Sequence, residues 1–264
     1  MIRFLKSLLG GGRREGGGEG RDDDTILVLR DRLYCDMPLD EVLGIFAVED
    51  DPVCGAVAQL RAKDYPQALA TLRGLEGRGE SQEDLPYWLA LAAAHRGAGE
   101  LEEARTAARR LLSSAQARVV AQAWSVLREL GGVPSPPQAD EVLGVVSEVG
   151  LDDGAVIVAG YPDGVGRLFW SRGGGVIGDG QPEPVQRAAR GLVRAAAHVV
   201  AGLSPGARRG LPERGVYSLT VLTPSGAMVA DEEIKQAEEE SHPLHAVYVA
   251  GIQLFSELKW TYEN

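Results

Sequence analysis

The chain has 264 residues, a formal net charge of −11 and 44% hydrophobic residues. That length allows one large domain or two small ones with real cores, and the apolar content is that of a folding chain. An acidic excess of this size repels phosphate backbones and excludes a general nucleic-acid-binding role.

Two cysteines, Cys35 and Cys54, are too few for a disulfide scaffold and have no zinc-site spacing. They read as two unpaired, buried thiols. No stretch reaches the ~20 apolar residues that cross a bilayer.

In chain order, residues 1–24 read as an amphipathic tip and a flexible linker. Across Met1–Leu9, helical spacing puts Ile2, Leu5, Leu8 and Leu9 on one face and Arg3 and Lys6 toward the other. The tip is a candidate weak peripheral tether to a membrane or a partner, and the plainer reading is a frayed terminus. It is too short, and too interrupted by Lys6, for a signal-peptide core. Residues 10–24 (GGGRREGGGEGRDDD) have nothing large and apolar to bury and read as linker. Residues 1–21 carry five basic and two acidic side chains, whereas 22–54 carry two and ten.

Residues 25–52 read as a strand–helix segment. The run 25–34 (TILVLRDRLY) predicts a strand, and 38–46 (PLDEVLGIF) a short helix with Asp36 as its cap and Pro38 in its first turn.

Residues 53–131 are helical in pattern and rich in alanine. The segment 62–69 overlays on 98–105 at an offset of 36 residues. Within the second unit, Trp88, Leu91, Ala92, His95, Gly99, Leu101, Ala104 and Ala108 alternate large and small packing residues around a tight turn. Small side chains let two antiparallel helices approach, large ones fill the flanks, and Gly99 supplies the turn. In these residues the segment resembles the tetratricopeptide repeat, whose unit is about 34 residues. The first unit matches in part, with Pro52, Gly55 and Lys63 departing from the pattern. A third helical run, 119–130, would cap the array. So short an array must lean on a neighbouring domain.

After a break at 131–137 (GGVPSPP), the pattern of 138–264 turns to strands. Strands are expected at 142–151, 155–161 and 165–171, separated by the turns Asp152-Asp153-Gly154 and Pro162-Asp163-Gly164. A helix at 184–203 follows, apolar along Val185, Ala188, Ala189, Leu192, Ala196, Val199, Val200 and Leu203. A basic loop, a strand at 216–223, a short return strand at 227–230 and an acidic run at 231–240 come next. A helix at 243–259, with Ser241 as its cap, closes the domain. This order predicts one antiparallel sheet with helices on one face, and the whole chain is α+β: a short helical array followed by a small α/β domain. The order resembles the roadblock, longin and profilin-like modules. The runs VLGVVSEVGLDDG, AGYPDG and LTPSG also resemble a recurrent bacterial α/β type. Neither likeness carries an activity.

Gly173–Gly178 (GGGVIG) formally matches GxGxxG, but 34 glycines make chance matches common. The next helix starts too late to meet a phosphate held there, and Asp179 would repel one. His242 and His245, beside Glu238–Glu240, have metal-ligand spacing only if both lie on one helix, and Pro243 intervenes. Those glutamates already complement a helix dipole. His95 and His198 read as partly buried structural residues. There is no GxSxG elbow, P-loop or HExxH.

No catalytic, cofactor-binding or metal-ligating residue is therefore assigned. The expectation is a non-enzymatic protein–protein interaction module, an adaptor or scaffold of a bacterial cytoplasm. Its partner is a protein, with no nucleic acid and no integral membrane segment. In tetratricopeptide arrays the first helix of each pair lines a concave groove. By helical spacing from Trp88, Leu89, Ala93 and Arg96 face it and are the candidate partner-binding residues, fitted to an apolar or helical segment rather than an acidic tail. The competing possibility is that residues 25–52 or the C-terminal domain fill the groove. Two other functions remain open: a chaperone or immunity-type inhibitor of one basic protein, and a nucleotide- or phosphate-binding enzyme or sensor using the Gly173–Gly180 loop.

Overall fold

The computed structural model describes residues 29–45, 53–75, 85–176, 180–207 and 210–263. The tip, the linker and the first residues of the expected strand at 25–34 lie outside the described residues. The remainder of that segment is not a strand: residues 29–31 are helical and 32–34 turn. Arg30, Leu33 and Tyr34 are all buried. A helical turn puts residues at i, i+3 and i+4 on one side, which a strand cannot do. The helix expected next forms as α1 (Leu39–Ile45).

The helical half is made of hairpins. α2 (Cys54–Arg61) pairs with α3 (Tyr65–Leu75), and α4 (Leu85–Gly97) with α5 (Leu101–Arg110). α6 (Ala117–Glu129) packs beside α5. Ala92, Ala104 and Ala108 have no exposed surface. Such methyl-sized contacts allow α4 and α5 to lie close together. A short helix, α7 (Pro136–Ala139), leads into the sheet.

The second half is a seven-stranded sheet in the order β4-β3-β2-β1-β6-β7-β5. Every pairing is antiparallel. The strands are β1 (Gly144–Leu151), β2 (Gly154–Gly160), β3 (Gly166–Trp170), β4 (Gly175–Val176), β5 (Ser204–Pro205), β6 (Val216–Thr223) and β7 (Gly226–Glu233). β7 runs into residues 231–233 of the acidic stretch, because each of these pairs with β6. The helices are α8 (Glu183–Ala197), α9 (Ile234–Ala237) and α10 (His245–Glu263). α10 starts later than expected, and its first turn is held by the His242 imidazole, whose Nδ1 accepts the Leu244 N–H at 3.2 Å, rather than by Ser241.

Strand alternation sends side chains to two faces. Val145, Val156, Val158, Leu168, Leu219 and Val221 pack under α8 and α10. Val146, Ile157, Ala159, Phe169 and Leu222 point the other way, into the same core as Leu89, Ala104 and Leu127 of the helical array. The sheet is thus the middle layer. Its own helices cover one face, and the N-terminal half covers the other.

The seam between the halves is polar at a few fixed points. Arg30 and Glu148, both buried, form a bidentate pair with Nε–Oε1 at 2.6 Å and Nη2–Oε2 at 2.8 Å. Burial opposes the guanidinium's charge, but Glu148, with Tyr34 and Asp31, outweighs it and holds the Arg30 pKa above its usual value. The buried Tyr161 hydroxyl donates to the Leu33 carbonyl at 2.7 Å. Arg128 Nη1 donates to the carbonyl of Pro224 at 3.0 Å, and Asp163 accepts the Ala117 N–H at 2.9 Å.

Candidate partner-binding groove

The side of α4 expected to face a partner is partly covered by the chain itself. α1 lies against α4, and Leu39, Val42 and Leu43 share one core with Leu89 and Ala93. The segment is locked in place at its start. Glu129, at the end of α6, accepts the Leu39 N–H at 3.0 Å through Oε2, and its Oε1 accepts from Arg96 Nη1. A carboxylate at a helix N-terminus also complements the dipole. Arg96 Nη2 donates to Asp40 Oδ1 at 2.6 Å, tying α4 to α1 a second time.

The three residues expected to face a partner therefore meet different fates. Leu89 is fully buried in the core and presents nothing to a partner. Ala93 is buried but lines the floor of a cleft that stays open. Arg96 stands on the wall of that cleft, both arms of its guanidinium engaged. Helical spacing placed all three on one side of α4. It could not show that α1 packs against that side of α4.

The open part is a cleft of about 270 Å³ at the C-terminal ends of α2 and α4. Leu43, Val57, Leu60 and Ala93 form its apolar part, and Arg61, Lys63, Tyr65 and Arg96 its polar surround. Tyr65 is seated on bare backbone: a Cβ at Gly97 would lie 2.1 Å from its ring. Among the described residues, Arg61 and Lys63 have no ion pair, and both are exposed. Sequence reasoning missed Arg61, Lys63 and Tyr65, because they lie on the turn side of the first hairpin, where the repeat pattern is weakest. The signal that marks Lys63 is its departure from that pattern.

The other candidate chemistry is occupied locally. Gly173 and Gly174 adopt φ of 103° and 87° and form the turn between β3 and β4. The Gly173 N–H donates to Trp170 at 3.0 Å, so it is committed to the hairpin. Residues 177–179 of that loop lie outside the described residues. His242 has Nε2 4.0 Å from Glu232, and His245 has Nδ1 3.2 Å from the Ala237 carbonyl. No group of three or more His, Cys, Asp or Glu among the described residues is placed to hold a metal. His95 pairs with Glu100 at 2.6 Å, whereas His198 is exposed rather than partly buried. No helix among the described residues is long and apolar enough to cross a membrane.

The chain matches no family model, no curated protein and no solved structure.

Proposed function

We propose that this chain is a non-enzymatic interaction protein, an adaptor or scaffold, that receives a segment of a protein partner in the open cleft of its tetratricopeptide-like array. The single observation that carries this reading is the cleft itself: an apolar floor partly rimmed by two exposed cations, Arg61 and Lys63, that have no ion pair among the described residues. Apolar pockets with a few convergent polar groups are the usual places for recognition. The hairpins support the repeat-like reading, because their turns share one geometry at the offset of 36 residues.

The occupant of the covered part also speaks for this use. α1 is a short helix with an apolar face, the kind of segment the groove was expected to take, and here it is supplied in cis. The partner's segment would extend the groove's contents past α1, over Leu60 and Tyr65.

The test is crosslinked capture with the full-length protein beside an Arg61→Glu/Lys63→Glu variant. Both side chains are exposed, so the variant folds. A protein captured by the wild type and lost from the variant is the expected result. Capture that is absent, or identical in both, overturns the assignment.

A further inference from the structure

The geometry points to a groove that selects a partner segment bearing side-chain carboxylates beside apolar residues, with Lys63 as the residue that makes the selection. This rests on the groove reading above and adds the chemistry of the partner.

The first observation is in the backbone. Lys63 has a φ of 59°, the left-handed region, at the turn between α2 and α3. In the second hairpin the same position holds Gly99, with a φ of 81°. A left-handed L-residue brings its Cβ too close to the following carbonyl oxygen, and glycine avoids this contact. Strained positions of this kind gather at ligand clamps, where the surrounding structure enforces them. What lysine offers here, and glycine does not, is a side chain, and that side chain lines the cleft.

The second observation is the charge pattern. Across the cleft, Arg96 is saturated by Asp40 and Glu129, while Arg61 and Lys63 have no carboxylate among the described residues. The third is a template within the cleft. Asp40 already shows how a carboxylate is held there, with Oδ1 2.6 Å from an arginine nitrogen and the buried Leu43 three residues along α1. A partner carboxylate on Lys63 and Arg61, with an apolar side chain over Leu60 and Val57, repeats that arrangement. Charge-assisted hydrogen bonds of this type are stronger than neutral ones.

The experiment uses the full chain and an array of immobilised, amidated hexapeptides. Each has two apolar residues flanked on both sides by two glutamates, and each stands beside its Glu→Gln copy. The wild type, Lys63→Gly and Tyr65→Ala are applied in parallel, and the melting temperature of each is recorded. The expected result is retention of glutamate peptides at least tenfold above their glutamine copies. Lys63→Gly is expected to melt higher than the wild type and to lose that retention, a gain in stability with a loss of binding. Equal retention of glutamate and glutamine copies, retention unchanged in Lys63→Gly, a lower melting temperature for Lys63→Gly, or no peptide retained overturns the proposal. If Lys63→Gly still binds but Tyr65→Ala does not, the groove stands and only the carboxylate selection fails. If neither variant alters retention, the groove reading fails with it.

Discussion

Lys63 and Gly99 occupy the same left-handed position in successive hairpins, and each ends a helix with the same two hydrogen bonds. The Lys63 N–H donates to Leu60 at 2.9 Å and the next amide, Asp64, to Gln59 at 2.9 Å. The Gly99 N–H donates to Arg96 at 3.1 Å and Glu100 to His95 at 2.9 Å. This is a Schellman closure in both cases, and it satisfies carbonyls that a helix end would otherwise leave unpaired. A Cβ at Gly99 would touch nothing within 4 Å, so the penalty for a side chain there is purely one of backbone conformation. Gly99→Ala is expected to lose about 1 kcal/mol of stability. Urea unfolding measures it, and an unchanged midpoint would show that the turn relaxes.

The Arg30–Glu148 pair is expected to respond very differently to single and double replacement. Glu148→Gln removes the carboxylate paired with a buried guanidinium, at a cost of roughly 3–5 kcal/mol. Replacing both, as Arg30→Met/Glu148→Leu, removes the desolvated charges together and should come within about 1 kcal/mol of the wild type or exceed it. A double variant as unstable as the single one would show that the pair holds the seam by more than compensation of charge.

Tyr161→Phe tests the seam at a neutral bond. Its hydroxyl is buried and donates to Leu33 at 2.7 Å. Removing it leaves the buried Leu33 carbonyl only the weak Cys35 thiol donor at 3.7 Å, and a loss of about 1 kcal/mol is expected in chemical denaturation. No loss would mean that water or a neighbour replaces the donor.

Ala104 has no exposed surface where α5 packs on α4. Ala104→Arg forces a charged side chain into that contact and is expected to cost roughly 3 kcal/mol or more. Circular dichroism and thermal melting read the result, and a variant that melts like the wild type refutes the close helix contact.

The Cys35 thiol is buried, and that burial pushes its pKa up to about 12 from 9.0. Below pH ~9 the thiol is neutral in both folded and unfolded chains, and the stabilisation is complete. As pH rises past 9, the unfolded chain gives up a proton that the folded chain keeps, so stability falls by about 1.4 kcal/mol per pH unit until the folded pKa is reached. Between pH 8 and pH 10 the wild type is expected to lose about 1.4 kcal/mol more than Cys35→Ala. Parallel urea titrations at the two pH values decide it, and equal losses would mean that the thiol is open to solvent.

Much of this protein was legible in its residues. The alanine spacing, the offset between 62–69 and 98–105, and the change of period after 131–137 fixed a helical array followed by an antiparallel sheet. These are local properties, set by steric rules that act within a turn of helix or a pair of adjacent strands. The strand expected at 25–34 failed because its second half, with Arg30, Leu33 and Tyr34, is shaped by what surrounds it. Its buried spacing has meaning only once Glu148, 118 residues away, is in place. The candidate site divided in the same way. Ala93 and Arg96 could be found from helical periodicity, but the complete burial of Leu89, and the gathering of Arg61, Lys63 and Tyr65 around the open cleft, depend on how separate helices pack. Periodicity tells which side of a helix is apolar. Only packing decides what covers that side, because burial is a property of distant segments brought together.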